Sequence, residues 1–378
     1  MPAGLPRCLT ADVSASKHGQ NSRRWLPWAA LGAALVVGGV IGGAIVAVTK
    51  SSASTPAAAS NPTQVSACAV TSVADQVLPS VVTISARGQG GGGTGSGEII
   101  RPDGYILTNN HVIAIAADGG SVDVQFADGQ TAPATITGRD PLTDLAVIKV
   151  DTSAKLKVIA LGESSSVKVG QPTVVIGSPL GLSGTVTSGI VSALDRTIQV
   201  PGENNSTALL VSAIQTDASI NPGNSGGAMV NCSNQLIGVP SAGATVPTQS
   251  GESSGGSIGL GFAIPVDLAK TISDEIIASG SVTHAFFGLQ TLPIPPVAAE
   301  QAGLPGGLYV GAVTPGGPAA QAGLRAEDVI TSINGAPATS NIQLQELALT
   351  KKPGDTVSLE YSRNGHTTKT SVTLGTRP

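Results

Sequence analysis

Three residues that together could carry out acyl transfer are spread through the middle of the sequence. His111 lies in ILTNNHVI, Asp144 in PLTDLAVIKV and Ser225 in SINPGNSGGAMV. A serine hydroxyl is a weak nucleophile, so it needs a base to take its proton and a carboxylate to hold that base in the correct tautomer. The three residue types therefore predict a hydrolase whose nucleophile is serine.

His111 is the best candidate for the base among the three histidines beyond residue 50. It follows an apolar strand pattern that can fix an imidazole, whereas His284 and His366 lie in polar segments typical of a linker and a hairpin turn. A lone histidine is usually structural. The chain order His, Asp, Ser is that of the chymotrypsin architecture, and this agreement favours catalysis for His111.

Glycines surround Ser225 in the sequence PGNSGG. They allow the backbone to turn so that the amide groups of Gly223 and Ser225 converge on one point, and we assign the turn of Gly223, Asn224 and Ser225 to an oxyanion hole. Each such donor typically contributes a factor of about 10² to 10³ in rate. A plain Gly/Ser turn is the alternative.

The residues just before this turn bear on substrate choice. Ser219 and Ile220 supply no carboxylate to the substrate pocket, so cleavage after Lys or Arg is not expected. Asp217 is the nearest acid, and we interpret it as structural. We expect a preference for small aliphatic residues such as Val or Ala before the scissile bond.

The composition favours two domains rich in β structure. A chain of 378 residues exceeds what one core usually organises, and only 12% of its residues are charged, with 49 glycines and 25 prolines. The net charge of −4 provides no basic surface for nucleic acid. None of the three cysteines forms a pattern typical of zinc, so no metal site is expected.

The elements that must position the three residues are mostly short strands. Apolar runs separated by Gly, Asp, Asn and Pro turns extend from Val70 to about Ser279, which indicates a barrel or sandwich. Helical spacing occurs around VDLAKTISDEIIASG, which predicts a closing helix after Pro265. The glycine-rich segment 88–97 lacks the Lys-Ser/Thr ending of a phosphate-binding loop, and we expect a flexible loop there.

An apolar segment without charge, Trp28–Thr49, precedes the globular part and is long enough to cross a membrane as a helix. Four basic residues precede the segment and only Lys50 directly follows it, so the N-terminus is expected in the cytoplasm and the rest outside. A cleaved signal peptide is the alternative. Residues 51–66 are small and polar, as in a tether.

Two cysteines, Cys68 and Cys232, fall on the outer side of the predicted span, where a disulfide would persist. Cys8 falls on the reducing side. We hypothesise a bond between Cys68 and Cys232 that clamps the start of the catalytic domain. Two free, buried thiols are the alternative.

The sequence closely resembles the HtrA family of trypsin-fold serine proteases from about Val73 to the C-terminus. The matching stretches are GSGEIIRPDGYILTNNHVI, TDLAVIKV, TVTSGIVSALDR, QTDASINPGNSGGAMVN and GLGFAIP. The resemblance implies a mainly β fold, a chymotrypsin-type double β-barrel that uses no cofactor. It also implies that the substrates are unfolded or exported proteins outside the cytoplasmic membrane, and that the protein forms a homotrimer. The sequence departs from the family at Ala228 and Met229, where Pro-Leu is usual.

The composition changes from about Val282, where apolar and polar residues alternate around Gly turns. This part resembles an α+β PDZ domain, and the resemblance assigns Phe286, Phe287, Gly288 and Leu289 to the loop that receives a peptide C-terminus. The bound peptide would pair with a sheet edge as an added strand. Ordinary core residues in a turn are the alternative.

These inferences divide the chain into five parts. The predicted function is a membrane-anchored, extracytoplasmic serine endopeptidase in protein quality control or regulated proteolysis. The alternative is a catalytically idle chaperone or scaffold that binds exposed C-termini. The predicted parts are a cytoplasmic segment (1–27), one transmembrane helix (28–49), a linker (50–68), the protease domain (69–280) and the PDZ domain (281–378).

Overall fold

The computed structural model describes residues 68–178, 184–203, 206–243, 256–303 and 305–377. The predicted cytoplasmic segment, the membrane span and the tether of residues 51–66 all lie outside these residues. Within them, no helix is both long and apolar enough to cross a membrane.

Six antiparallel strands close into a first barrel. Its interior is filled by apolar side chains such as Ile84, Ile106, Val124 and Ile148, none of which is exposed to solvent. The strands are β1 (Val81–Gly88), β2 (Gly91–Ile99), β3 (Tyr105–Asn109), β4 (Ser121–Gln125), β5 (Thr131–Asp140) and β6 (Leu145–Val150). Around the barrel they follow the order β1, β2, β3, β6, β5, β4.

A second sheet of seven strands forms the other half of the protease region. The strands are β7 (Ala160–Leu161), β8 (Pro172–Gly177), β9 (Thr185–Pro201), β10 (Thr207–Thr216), β11 (Ala228–Val230), β12 (Gln235–Gly243) and β13 (Gly261–Pro265). Their order is β11, β8, β9, β10, β13, β12, β7, and β11 also pairs with β12, so six of them close a second barrel. The mainly β class predicted from the sequence is confirmed.

Helices cover the seam between the two barrels. The predicted closing helix is confirmed as α3, which begins after Pro265 and ends at Gly280 in a left-handed conformation, φ 79°. Its residues Ala269, Ile272 and Ile276 pack on apolar side chains from both barrels. The helices here are α1 (Val70–Val77), α2 (Asn110–Ile113) and α3 (Val266–Ser279), with 3-10 turns at Leu78–Ser80, Ala114–Ala116 and Ser164–Ser166.

The glycine-rich segment expected to be a flexible loop is largely strand β2, so that expectation is wrong. Residues 91–98 pair with β1 in continuous antiparallel register. The glycines permit close packing, because a Cβ atom on Gly95 would lie 2.6 Å from the Val112 side chain and 3.1 Å from the Ser225 carbonyl oxygen. The tertiary packing overrides the turn preference of glycine.

The C-terminal region is a separate small sheet with its own core. It contains β14 (Ala285–Phe286), β15 (Leu289–Pro293), β16 (Leu308–Val313), β17 (Val329–Ile333), β18 (Ala336–Pro337), β19 (Thr356–Arg363), β20 (His366–Thr373) and β21 (Gly375–Thr376), with helices α4 (Pro296–Ala302), α5 (Pro318–Gln321) and α6 (Ile342–Thr350). The main sheet runs β15, β16, β17, β19, β20, and β14 pairs with β21. Strand β15 is therefore an edge strand.

The two cysteines predicted to pair lie side by side. The sulfur atoms of Cys68 and Cys232 are at bonding distance, and their Cα atoms are 5.1 Å apart. Cys68 precedes α1, and Cys232 lies in the turn between β11 and β12. A bond here joins the start of the described chain to the second barrel.

A carboxyl group that sequence reasoning did not single out is buried in the seam. A Cβ atom on Gly97 would meet side chains inside the first barrel, so Ser96 and Glu98, its neighbours on β2, face the second barrel. The Glu98 side chain is inaccessible to solvent, and neither carboxyl oxygen has a hydrogen-bond partner among the described residues. Burial raises the pKa of Glu98 well above its ordinary value of 4.5.

Glu98→Gln should therefore make the protein more stable than the wild type above about pH 5. The folded state retains the Glu98 proton at pH values where the unfolded chain has lost it, so rising pH lowers the free energy of unfolding by up to about 1.4 kcal/mol per unit. This loss begins near pH 4.5 and continues until the folded-state pKa is reached. Urea unfolding of both proteins from pH 4 to 8 measures the difference.

Glu300→Gln, at an exposed position, provides the matched control for the loss of a carboxylate. If the stability difference between Glu98→Gln and wild type stayed constant from pH 4 to 8, the raised pKa of Glu98 would be contradicted.

Candidate active site

The turn that carries Ser225 is held rigidly by backbone hydrogen bonds. The Asn224 amide donates to the Asn221 carbonyl at 2.9 Å, and the Gly226 amide donates to the Pro240 carbonyl at 2.9 Å. Gly226 has φ 77°, and a Cβ atom there would overlap the Ser96 carbonyl oxygen, so only glycine fits. The Ser225 carbonyl accepts the Ser96 amide at 2.9 Å, which ties the turn to the first barrel.

His111 and Asp144 are in direct contact. The short helix α2 presents His111, whose Nδ1 lies 3.0 and 2.8 Å from the two carboxylate oxygens of Asp144. The His111 backbone amide also donates to Asp144 Oδ1 at 3.0 Å. Since a carboxylate only accepts hydrogen bonds, Nδ1 carries the proton, and Nε2 of the neutral ring is left as an acceptor.

Asp144 lies in a constrained position directly before β6. Its φ of 58° is unusual for a residue other than glycine, and its side chain is 5% exposed. Its carbonyl oxygen accepts hydrogen bonds from the Asn109 side chain at 2.9 Å and the Asn110 amide at 3.1 Å. Through these two bonds, the residues that lead to His111 fix the backbone conformation of Asp144.

Ser241, on β12, connects the candidate residues, and sequence reasoning missed it. Its hydroxyl donates to Asp144 Oδ2 at 2.6 Å, and its carbonyl accepts the Ser225 hydroxyl at 3.3 Å. Among the described residues, Ser225 Oγ has this carbonyl as its partner and makes no hydrogen bond with His111. A serine within the strand sequence VPSAG carries no signal that could have identified it.

The residues predicted for the oxyanion hole divide into two kinds. The amides of Gly223 and Ser225 donate to no other group within the described residues. The amide of Asn224, the middle residue of the predicted turn, donates to the Asn221 carbonyl at 2.9 Å instead. The Gly223 carbonyl accepts the Ser96 hydroxyl at 2.7 Å, and that hydroxyl in turn accepts the Ser178 amide at 2.8 Å.

The residues predicted for the substrate pocket differ in exposure. Ile220 is 4% exposed and packs in the core of the second barrel, whereas Ser219 is half-buried. The Ser219 carbonyl accepts the Thr187 hydroxyl at 3.0 Å. Asp217 Oδ1 accepts the Ile190 amide at 2.7 Å, a bond within the sheet that fits its expected structural role.

A largely apolar cleft of about 460 Å³ opens beside His111. Neither Ser219 nor Ile220 lines it. Its walls come from β9, β12 and β13, which bring together Ile198, Val200, Ala242 and Phe262.

A second groove, of about 350 Å³, lies between the edge strand β15 and helix α6. All four residues of the predicted peptide-binding loop line it, together with Leu344 of α6. Gly288 has φ 73°, and its carbonyl accepts the Thr314 amide at 2.8 Å. Phe287 is 5% exposed and also belongs to the small core. It is therefore both a core residue and a residue of the predicted peptide-binding loop.

Two families match the chain in consecutive regions. The trypsin-like peptidase domain matches residues 95–239 and the PDZ domain matches residues 286–374. Among the described residues, no group of three or more His, Cys, Asp or Glu side chains is placed to hold a metal ion.

Similar proteins are named as proteases. The serine protease PepD of Mycobacterium tuberculosis H37Rv is 45% identical over 313 residues, which are 81% of this chain and 66% of PepD. The periplasmic pH-dependent serine endoprotease DegQ of Escherichia coli K12 is 40% identical over 288 residues, 75% of this chain and 60% of DegQ. The chain thus spans less than two thirds of the length of these relatives.

A solved structure agrees over almost its entire length. The HtrA-type protease AlgW with a decapeptide superposes with a TM-score of 0.65 at 32% identity, covering 82% of this chain and 99% of AlgW. On these matches, the chain belongs to the HtrA family of trypsin-like serine proteases with a PDZ domain.

Proposed function

We propose that the protein is a serine endopeptidase that uses Ser225 as nucleophile, His111 as general base and Asp144 to orient the base. The observation that carries this proposal is the hydrogen-bonded series from His111 through Asp144 and Ser241 to Ser225. The unengaged amides of Gly223 and Ser225 beside it support an oxyanion hole. Family membership supports the same chemistry.

The proposed roles give a sequence of steps. The Ser225 hydroxyl leaves the Ser241 carbonyl and donates to His111 Nε2, which takes the proton as Ser225 Oγ attacks the substrate carbonyl. The amides of Gly223 and Ser225 receive the negative oxygen. His111 then protonates the leaving amine, and water hydrolyses the acyl-enzyme by the same route. Asp144 orients the His111 ring and stabilises the imidazolium each time it forms.

The PDZ region is proposed to bind peptide C-termini. A strand can add to the free edge of β15, and the groove beside α6 can receive the last side chain, with the terminal carboxylate at the amides of the 286–289 loop. The AlgW structure, described with a decapeptide, supports a peptide site in that relative.

We also propose where in the cell the protein is located. Anchoring through Trp28–Thr49 with the catalytic and PDZ regions outside the cytoplasm agrees with relatives named periplasmic and with a Cys68–Cys232 disulfide. Substrates would then be unfolded or exported proteins, in quality control or regulated proteolysis. The homotrimer rests on the family resemblance alone.

The bond from Ser225 to Ser241 favours a second candidate, an idle chaperone or scaffold that binds C-termini without hydrolysis. In apo proteases, catalytic hydrogen bonds are often long or misaligned and tighten with substrate, so this bond also suits a resting protease. Labelling of Ser225 by a fluorophosphonate distinguishes the two candidates.

Ser225→Ala should abolish hydrolysis of casein, because loss of the nucleophile of a triad lowers kcat by about 10⁶. Binding of a hydrophobic C-terminal peptide at the PDZ groove should be unchanged. Ser233→Ala, in an exposed turn of the same barrel, is the matched control and should retain full activity. Casein turnover that persists in Ser225→Ala would contradict the proposed nucleophile.

Cleavage of a peptide library should occur mainly after Val or Ala, because the walls of the cleft beside His111, which include Ile198, Val200 and Phe262, carry no charge to balance a basic side chain. Asp217, the nearest acid to the nucleophile in the sequence, already accepts a hydrogen bond from the Ile190 amide. Mass spectrometry of the products identifies the preferred residue. Dominant cleavage after Arg or Lys would overturn this expectation.

Ser96→Ala should slow fluorophosphonate labelling of Ser225 by about 10-fold to 100-fold, because the Ser96 hydroxyl holds the Gly223 carbonyl and thereby orients the oxyanion turn. The thermal midpoint should also fall, since the Gly223 carbonyl and the Ser178 amide lose a buried partner. The exposed Ser121→Ala is the control. A labelling rate equal to that of the control would show that Ser96 does not support the turn.

A further inference from the structure

A buried histidine outside the proposed triad contacts the segment that leads to Asp144. His284, expected from the sequence to lie in a polar linker, has a side chain that is only 7% exposed. Its Nε2 lies 2.9 Å from both carboxylate oxygens of Asp140, which is itself 4% exposed. The polar sequence context was misleading because the burial comes from packing against a residue 144 positions earlier.

Asp140 organises the short segment that ends at Asp144. Its Oδ2 accepts the Thr143 hydroxyl at 2.5 Å, and its Oδ1 accepts the Leu142 amide at 3.3 Å. Thr143 immediately precedes Asp144 in the chain. The Leu142 carbonyl accepts the Leu209 amide at 2.9 Å, so the segment is also held by β10 of the second barrel.

The conformation at the end of this segment needs such support. Asp144 has φ 58°, and a residue other than glycine persists there only when its surroundings hold it. The hydrogen bonds of Asn109 and Asn110 hold its carbonyl on one side. Asp140 holds the preceding residues on the other, and His284 Nε2 donates to the Asp140 carboxylate and fixes its position.

His284 stands at the start of the PDZ region rather than in a barrel. Its carbonyl accepts the Arg377 amide at 3.0 Å, and the next two residues form β14, which pairs with β21. The peptide-binding loop follows directly. One residue is therefore bonded both to the PDZ fold and to the segment that presents Asp144.

We infer that His284 is a positioning residue of the protease, which through Asp140 holds the segment 140–144 so that Asp144 meets His111 in the productive orientation. This inference rests on the proposed function of the triad. It assigns to a residue of the PDZ region a part in hydrolysis at the barrel seam, distinct from peptide binding.

His284→Ala should lower kcat for a peptide substrate by about 10-fold to 100-fold, because a displacement of about 1 Å in a catalytic group can cost up to about 10²-fold. The KM should stay within about twofold, since a misaligned orienting carboxylate weakens the transition state more than substrate binding. His284→Gln, which keeps an N–H donor, should recover most of the loss. The exposed His366→Ala is the matched histidine control.

Asp140→Asn tests the same pair from the protease side and keeps the size of the side chain. It should lower kcat like His284→Ala, and the double variant should be no slower than the slower single variant, as for two residues that act as a unit. The affinity of a hydrophobic C-terminal peptide, measured by calorimetry, should stay within about twofold in every variant.

The outcomes separate this inference from the proposed function. A wild type that does not react with a fluorophosphonate contradicts both. A reactive wild type with unchanged kcat in either His284→Ala or Asp140→Asn contradicts the positioning role alone. Equal losses in His284→Gln and His284→Ala, or losses that merely follow the folded fraction measured by circular dichroism, assign His284 a structural role and overturn the inference.

Discussion

The Asp144 carboxylate is the group around which the site is organised. Its side chain is 5% exposed, and a carboxylate withdrawn from water is tolerated only when donors surround it. The donors are the amide and Nδ1 of His111 and the hydroxyl of Ser241. His111 follows a strand of the first barrel and Ser241 lies in the second, so the carboxylate is satisfied only when the two barrels are correctly placed.

The seam between the barrels provides that placement. Apolar side chains such as Leu107, Leu145, Val239 and Ile264 are fully or almost fully buried where the barrels meet, with helix α3 over them. Strand β2 adds polar contacts on the same side, through the Ser96 hydroxyl and amide to the turn of Ser225. Glu98 is buried two residues further along the same strand. At pH values above the ordinary pKa of a glutamate its burial lowers the free energy of unfolding, so the apolar packing must offset the cost of its desolvation.

The residues predicted from sequence are those whose local surroundings carry a signal. Glycines around Ser225 and the strand before His111 reveal their settings, and the spacing of apolar residues after Pro265 predicts α3. Ser241 has no such signal, because its role depends on a carboxylate 97 positions away. The surroundings of His284 are hidden for the same reason, and the glycines of β2 predict a loop because close approach of two backbones leaves no mark in the local sequence.

Among the described residues, Glu346 and His284 of the PDZ region form hydrogen bonds with residues on barrel strands, and the two contacts differ in their exposure to water. Thr197 Oγ1 on β9 donates to Glu346 of α6 at 3.2 Å, between side chains that are both partly exposed. Such a bond competes with water and contributes little. The His284–Asp140 pair is nearly excluded from water, so breaking it would leave a buried carboxyl group without this hydrogen-bond partner, which costs about 1–3 kcal/mol. Of these two contacts, the one to the segment that carries Asp144 therefore couples the PDZ region more strongly to the barrels than the one to β9, which lines the apolar cleft beside His111.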